Sequence, residues 1–184
     1  MRLVFPRNVL KDDSVTLRRV APTHANALFL LTDTNRDYLR QWLPWLDFTT
    51  EEKHTLSFIR SSMKDFLQRK AVQYSLWHRG NLIGMVGTHQ IDWANRSASL
   101  GYWIGRKYGG QGLLTKACHV LIDELTNRLH LHRIVIRCAT GNARSRAVAE
   151  RLGLTQESVM KDAEWLYDHY VDHAAYVLLT QKTE

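Results

Sequence analysis

The sequence predicts an α+β (α/β) domain with a mixed, mostly antiparallel central sheet flanked by helices, and three observations carry that prediction. Two segments that alternate polar and apolar residues, Val72–His78 and Leu82–His89, flank the turn pair Gly80-Asn81 as the arms of a tight hairpin do. The run from Leu114 to Leu129 repeats its apolar residues at intervals of three and four, the period of a helix with one buried face. The second half of the chain then orders its elements as strand, helix, strand, helix, strand.

Taken in order, Val15–Val20 alternates and reads as a first strand. Pro22 stands where helices accept proline, in a first turn, ahead of Ala25, Ala27, Leu28 and Leu31. Tyr38–Leu46, with Trp42-Leu43-Pro44-Trp45 inside it, is too aromatic for an idle connection. Glu51–Lys70 sets Leu56, Ile59, Met63, Phe66 and Leu67 at helical spacing. Ser97–Ile104 alternates, with Ala98, Leu100, Tyr102 and Ile104 on one face. Glycines 105, 109, 110 and 112 follow, and then the strongest helix. Arg133–Ala139 reads as a strand, Ala143–Leu152 as a short helix stopped by Gly153, and Ala174–Leu179 as a closing strand. No linker or internal repeat divides residues 1–184, so one domain is expected, long enough to bury a core without staples.

The composition is that of a soluble globular chain, with 45% hydrophobic and 23% charged residues. Residues Met1 to Leu10 lack the apolar run of a signal peptide, and no later segment approaches the length of a membrane span. Cys118 and Cys138 fit no paired metal or redox spacing and read as buried thiols in a reducing cytoplasm. The formal net charge is +7, which favours anionic partners such as an acidic protein or a phosphorylated ligand. The 25 Lys and Arg are dispersed, so no dedicated nucleic-acid arm is expected. His130 and His132 alternate as strand residues would, but no third ligand stands at metal-site spacing, and a solvated loop is the simpler reading.

The candidate chemistry begins at Gly109-Gly110-Gln111-Gly112, between a strand and the strongest helix. Glycines permit a tight turn and a close approach of ligand to main chain, and the first-turn amides of the helix carry partial positive charge. Such a place binds phosphate, although a plain strand-to-helix turn would use the same glycines. The dinucleotide and P-loop fingerprints are both absent. Asn142, before the Ala143–Leu152 helix, fits an N-cap and a ligand contact equally well.

From roughly Val15 to the end, and most densely from Leu100 to Leu154, the chain resembles the GNAT acetyltransferases, and within them the RimJ/RimL branch that acetylates the N-termini of ribosomal proteins. The glycine loop matches the family's Q/R-x-x-G-x-G/A at Gly112, while Gly109 and Leu114 depart from it. Leu100-Gly101-Tyr102-Trp103-Ile104 resembles the G-Y-W strand of that branch, and Asn142 to Leu154 its second coenzyme segment. The resemblance implies a coenzyme-binding core of about 97–154. Acetyl-CoA would be held by the loop Gly109, Gly110, Gln111, Gly112, Leu113 and Leu114, by Asn142 and Ser145, and by the backbone of Tyr102, Trp103 and Ile104, where the strand splays from its neighbour.

Many members of the family carry a tyrosine at the place of Ala149 to protonate the leaving thiolate. Alanine cannot do this, and the branch uses a serine where this chain has Ser145. Lys161-Asp162-Ala163-Glu164-Trp165 resembles the segment that bears a catalytic glutamate. By this likeness Glu164 is the general base, through a water; on its own it reads as a solvated loop carboxylate. Trp42 and Trp45 fall where the family builds its acceptor cleft, and they serve equally well as a cap on the core.

The expectation is direct transfer from acetyl-CoA to a primary amine, the N-terminal amine of a protein, with no metal and, by resemblance, in a homodimer. An acetyltransferase of a polyamine or an aminoglycoside is the enzymatic alternative. A coenzyme- or nucleic-acid-binding module without turnover is the other.

Overall fold

In the computed structural model, residues 5–180 are described, so Met1–Val4 of the N-terminal stretch and residues 181–184 lie outside them. Side chains alternate across a strand, so a sheet with apolar residues at both odd and even positions must be covered on both faces. Met85 and Val86 are such a pair, adjacent in sequence and packed into two different apolar clusters.

Eight strands form one sheet: β1 (Val9–Lys11), β2 (Thr16–Arg19), β3 (Gln73–His78), β4 (Asn81–Asp92), β5 (Ser97–Ile104), β6 (Arg133–Ala139), β7 (Thr155–Leu166) and β8 (His169–Leu179). Their order is β1-β2-β3-β4-β5-β6-β8-β7, and only β5 with β6 runs parallel. One face is covered by α1 (Ala25–Asp33) and α3 (Glu52–Leu67), with Leu28, Ile59 and Met85 buried between them. The larger cluster lies on the other face, under α4 (Leu113–Asp123) and α5 (Ala143–Arg151), with Leu100, Ala117, Leu121, Ile136 and Val148. A short α2 (Arg36–Arg40) and a 3₁₀ turn at Pro44–Phe48 carry the aromatic segment. The expected mostly antiparallel sheet flanked by helices is the one observed.

Two local differences have physical causes. The turn between β3 and β4 is Arg79-Gly80, not Gly80-Asn81, because Asn81 pairs with His78. Both turn residues have positive φ, +48° and +77°, the pattern of the hairpin turn whose twist matches its strands. β7 has no alternating apolar signature, since it is an edge strand exposed along most of its length, and its polar residues mask it in sequence. His130 and His132 precede β6 and belong to no strand, in agreement with the loop reading.

The α4 periodicity continues to Leu129 through a π turn at Glu124–Arg128. Glu124, 1% exposed, accepts from the backbone amide and guanidinium of Arg7 and pairs with Arg128. Tyr74 adds a 2.6 Å bond to the Arg7 carbonyl, so the N-terminal segment is tied to both helix and sheet.

Removing both cations from a buried carboxylate leaves an uncompensated charge. Arg7→Leu with Arg128→Leu should therefore lower stability by about 3–5 kcal/mol in denaturant unfolding. Adding Glu124→Leu to that pair should recover most of the loss, because apolar groups of similar volume often match a buried ionic cluster.

Candidate functional site

The parallel pairing of β5 and β6 runs from Ser97↔Arg133 to Leu100↔Ile136 and stops. β5 continues to Ile104 with β4 as its partner, and β6 continues to Ala139 with β8. Past Leu100 and Ile136 the two strands diverge, and the wedge between them is filled at one point by the start of α5. Asn142 caps that helix: its Oδ1 accepts the Ser145 amide at 3.1 Å. Tyr102 reaches across from β5, its hydroxyl 3.1 Å from both the carbonyl and the Oγ of Ser145. Burial pushes the Tyr102 phenol well above its usual pKa, while the Ser145 bond pulls the other way.

A cleft of about 1120 Å³ runs past the wedge along the N-terminal ends of α4 and α5. Gly109, Gly110, Gly112, Leu113 and Leu114 line it, and Arg106, Arg144 and Arg151 supply cations. Gly112 is the N-cap of α4 with φ +72°, a left-handed backbone that side chains strain. A Cβ added at Gly110 or Gly112 would meet no protein atom within 4 Å, so the loop presents bare main chain to open space. Gln111 does not line the cleft, and its side chain donates to the Lys107 carbonyl at 3.0 Å instead.

A second cavity, about 630 Å³, opens on the α1/α3 side of the sheet. Trp42, Trp45, Phe48, Phe58 and Trp103 give it aromatic walls. Trp45 is 37% and Phe48 80% exposed, so these rings form a rim and are not merely a cap on the core. Tyr167, at the tip of the β7–β8 hairpin, straps the rim by donating to the Leu43 carbonyl at 2.9 Å under the Arg40 guanidinium. Trp42, Leu43, Tyr102, Trp103, Asn142 and Ser145 line both spaces, so the two meet at the wedge.

Glu164 lines the second cavity and is not a free loop residue. Between Met160 and Glu164, β7 spends four residues where β8 spends two, since Met160 faces His173 and Glu164 faces Val171. Asp172 holds this bulge, accepting from the Asp162 amide at 3.0 Å and from Lys161 at 2.7 Å. Glu164 Oε2 lies 3.1 Å from His173 Nε2.

Three other groups border the same space and were not among the site residues the sequence pointed to. His89 sits at a bulge of β4 with its ring against Gly101, and desolvation and the nearby Arg137 charge lower its pKa. Cys138 is raised by burial, with the Ser145 hydrogen bond opposing, so its thiol stays protonated near neutrality. His173 has no motif of its own. Only recognition of β7 as a strand, joined to β8 by the two-residue turn Tyr167-Asp168, would bring it beside Glu164. Among the described residues no group of His, Cys, Asp and Glu is arranged for a metal ion, and no helix is long and apolar enough to cross a membrane.

Residues 14–155 match the family model of the acetyltransferase (GNAT) domain. The ribosomal-protein-serine acetyltransferase of Escherichia coli (strain K12) is 31% identical over 165 residues, covering 90% of this chain and 92% of its own. The solved structure of RimL, a ribosomal L7/L12 α-N-protein acetyltransferase in complex with coenzyme A, superposes with a TM-score of 0.90 at 27% identity, over 93% of this chain and 97% of that one. The microcin C7 self-immunity acetyltransferase MccE, solved in complex with acetyl-CoA and AMP, superposes with a TM-score of 0.89 at 32% identity, over 92% and 94%.

Acetyl-CoA at 100 times its dissociation constant should stabilise the protein by about 2.7 kcal/mol, read as a rise in melting temperature. Gly112→Val should cost about 1–3 kcal/mol of stability through its backbone alone, since no packed atom opposes the side chain. In calorimetric titration the same variant should lose more than tenfold in acetyl-CoA affinity.

Proposed function

The chain belongs to the GNAT acetyltransferase family and is an acetyl-CoA-dependent N-acetyltransferase, and we propose that its acceptor is the N-terminal α-amine of a protein, of the kind ribosomal proteins present. The observation that carries this reading is the meeting of the two spaces at Ser145 and Tyr102, one bordered by bare glycine amides and the other by aromatic rings and a single carboxylate. Coenzyme binds, in this reading, within a core of about 97–154 of one domain. The first-turn amides of α4 and the cations Arg106, Arg144 and Arg151 hold its phosphates. The unpaired edge at Tyr102–Ile104 receives its pantetheine arm.

The chemistry then needs few groups. Glu164, through a water, takes a proton from the acceptor ammonium, and the freed lone pair forms the new C–N bond at the thioester carbonyl. An amide of the splayed edge polarises that carbonyl oxygen. As the C–S bond breaks, Ser145 Oγ–H gives its proton to the departing sulfur, and the hydroxyl regains one, relayed through water, from the nitrogen, which sheds its second proton as the amide forms. No acyl-enzyme forms, because transfer is direct within a ternary complex, and Cys138 is a protonated thiol. An α-amine, with pKa about 7.7–8.0 against about 10.4 for lysine, is within reach of a carboxylate acting through water.

A polyamine or aminoglycoside acceptor is disfavoured by the cavity itself, in which Glu164 is the only lining carboxylate among the described residues. A module without turnover is disfavoured by Ser145 and Glu164 opening into one space. One second reading has an observation of its own. The likeness to MccE, solved with AMP, together with the aromatic walls, supports a small amine joined to a nucleotide. The net charge of +7 fits an acidic acceptor and the coenzyme's phosphates alike. A cytosolic homodimer completes the proposal.

Intact-mass analysis of a ribosomal extract incubated with labelled acetyl-CoA tests the acceptor, with a +42 Da N-terminal adduct as the expected result of one acetyl replacing one hydrogen. Labelled small molecules with unmodified proteins would favour the nucleotide reading. Glu164→Gln should lower turnover by roughly 10²–10⁴. Ser145→Ala should slow the chemical step while acetyl-CoA affinity stays within a few-fold. Melts and coenzyme titrations run in parallel separate both effects from structural damage.

A further inference from the structure

We propose that His173 is a positioning residue for the reaction, donating its Nε2–H to Glu164 so that one carboxylate oxygen is anchored and the other is left to take the acceptor's proton. The proposal rests on the reading of Glu164 as the base and adds to it the group that aims the base. An ionised carboxylate only accepts hydrogen bonds, so the 3.1 Å contact between Glu164 Oε2 and His173 Nε2 requires the hydrogen on that nitrogen. Among the described residues this is the one hydrogen bond recorded for the Glu164 side chain, and it engages Oε2 alone.

The backbone explains why the pair forms. On one face of an antiparallel pair, diagonal neighbours lie within reach of long side chains. Val171 and His173 share a face of β8, and the bulge sets Glu164 opposite Val171, diagonal to His173. A regular ladder continued from Met160↔His173 would put Asp162 there instead. The two extra residues therefore exchange a short acid for a longer one at this point. Asp162 has a φ of +48° and its amide is bonded to Asp172, which turns it away as the fold of the bulge.

Both side chains open into the acceptor cavity and remain partly accessible, His173 at 17% and Glu164 at 34%. The other titratable or charged groups lining that cavity are His89 from β4, Tyr102 from β5, and Arg137 and Cys138 from β6. A long carboxylate with three free torsions is poorly fixed by itself, and misplacement of a reacting group by an ångström costs on the order of 10²-fold in rate. The imidazole, held in the β8 ladder opposite Ala139 and Met160, supplies the rigid end of the pair.

The test has two arms. In the first, acetylation of peptides beginning with Ser or Ala is followed for wild type, His173→Leu, His173→Gln, Glu164→Gln and the double variant His173→Leu/Glu164→Gln. His173→Leu should lower kcat about 10- to 100-fold with the KM for acetyl-CoA within twofold. His173→Gln, which keeps an N–H near the place of Nε2, should return to within a few-fold of wild type. The double variant should be no slower than Glu164→Gln by more than about twofold, since the two residues act as one unit. If His173→Leu melts early, His173→Asn, polar but too short to reach Glu164, takes its place.

Full turnover by folded His173→Leu, failure of the Gln rescue, or additive losses in the double variant would each overturn the proposal and leave Glu164 as base. Full turnover by Glu164→Gln would overturn the base assignment and the proposal with it. The second arm needs no acceptor. Imidazole ¹⁵N spectra should show His173 as the Nε2–H tautomer in wild type and lose that preference in Glu164→Ala. An Nδ1–H tautomer in wild type would refute the donor role outright.

Discussion

The site depends on one interruption, the end of β5–β6 pairing after Leu100 and Ile136. A sheet interior normally leaves no backbone group unpaired, because a buried N–H or C=O without a partner costs as much as a lost hydrogen bond. Here the ladder opens, and the structure answers that cost locally. α5 enters the gap by its N-terminus, where Asn142 meets the Ser145 amide and Tyr102 meets the Ser145 carbonyl. What remains open faces two accessible spaces, so its groups are available to a substrate.

That arrangement places unlike surroundings within a few residues of each other. On the α4 side the lining is main-chain amide and arginine, suited to phosphate. On the α1 side it is aromatic, with one carboxylate and two imidazoles. Tyr102 and Ser145 stand at the border and belong to both. Their chemistry is shaped by burial, which keeps the Tyr102 phenol and the Cys138 thiol protonated, so near neutrality neither competes as a nucleophile.

Much of this was legible in the sequence, for reasons that differ by element. β5 announces itself because its alternation separates a buried face from its neighbour, β3 and β4, buried on both faces, because a glycine turn joins two apolar-rich runs, and α4 because its face is continuous. The Asn142 cap and the Gly112 turn were readable because local backbone chemistry demands those residue types. β7 was not, since an edge strand wetted along its length has no apolar period to show. The same blindness hid His173, which meets Glu164 only through a bulged register that no spacing rule encodes. Resemblance to the family pointed to Glu164 where the residues alone read as a loop carboxylate.

The wedge is also a boundary along the chain. Residues up to Ile104 build β1 to β5, residues from Arg133 onward build β6 to β8, and four parallel register pairs join the two ladders. Tyr102, the glycine loop and the aromatic rim come from before that seam, while Asn142, Ser145, Glu164 and His173 come from beyond it. Neither stretch of polypeptide contains a complete site. A chain still emerging during synthesis has its glycine loop long before it has Glu164, and brings the two together only when the last hairpin docks.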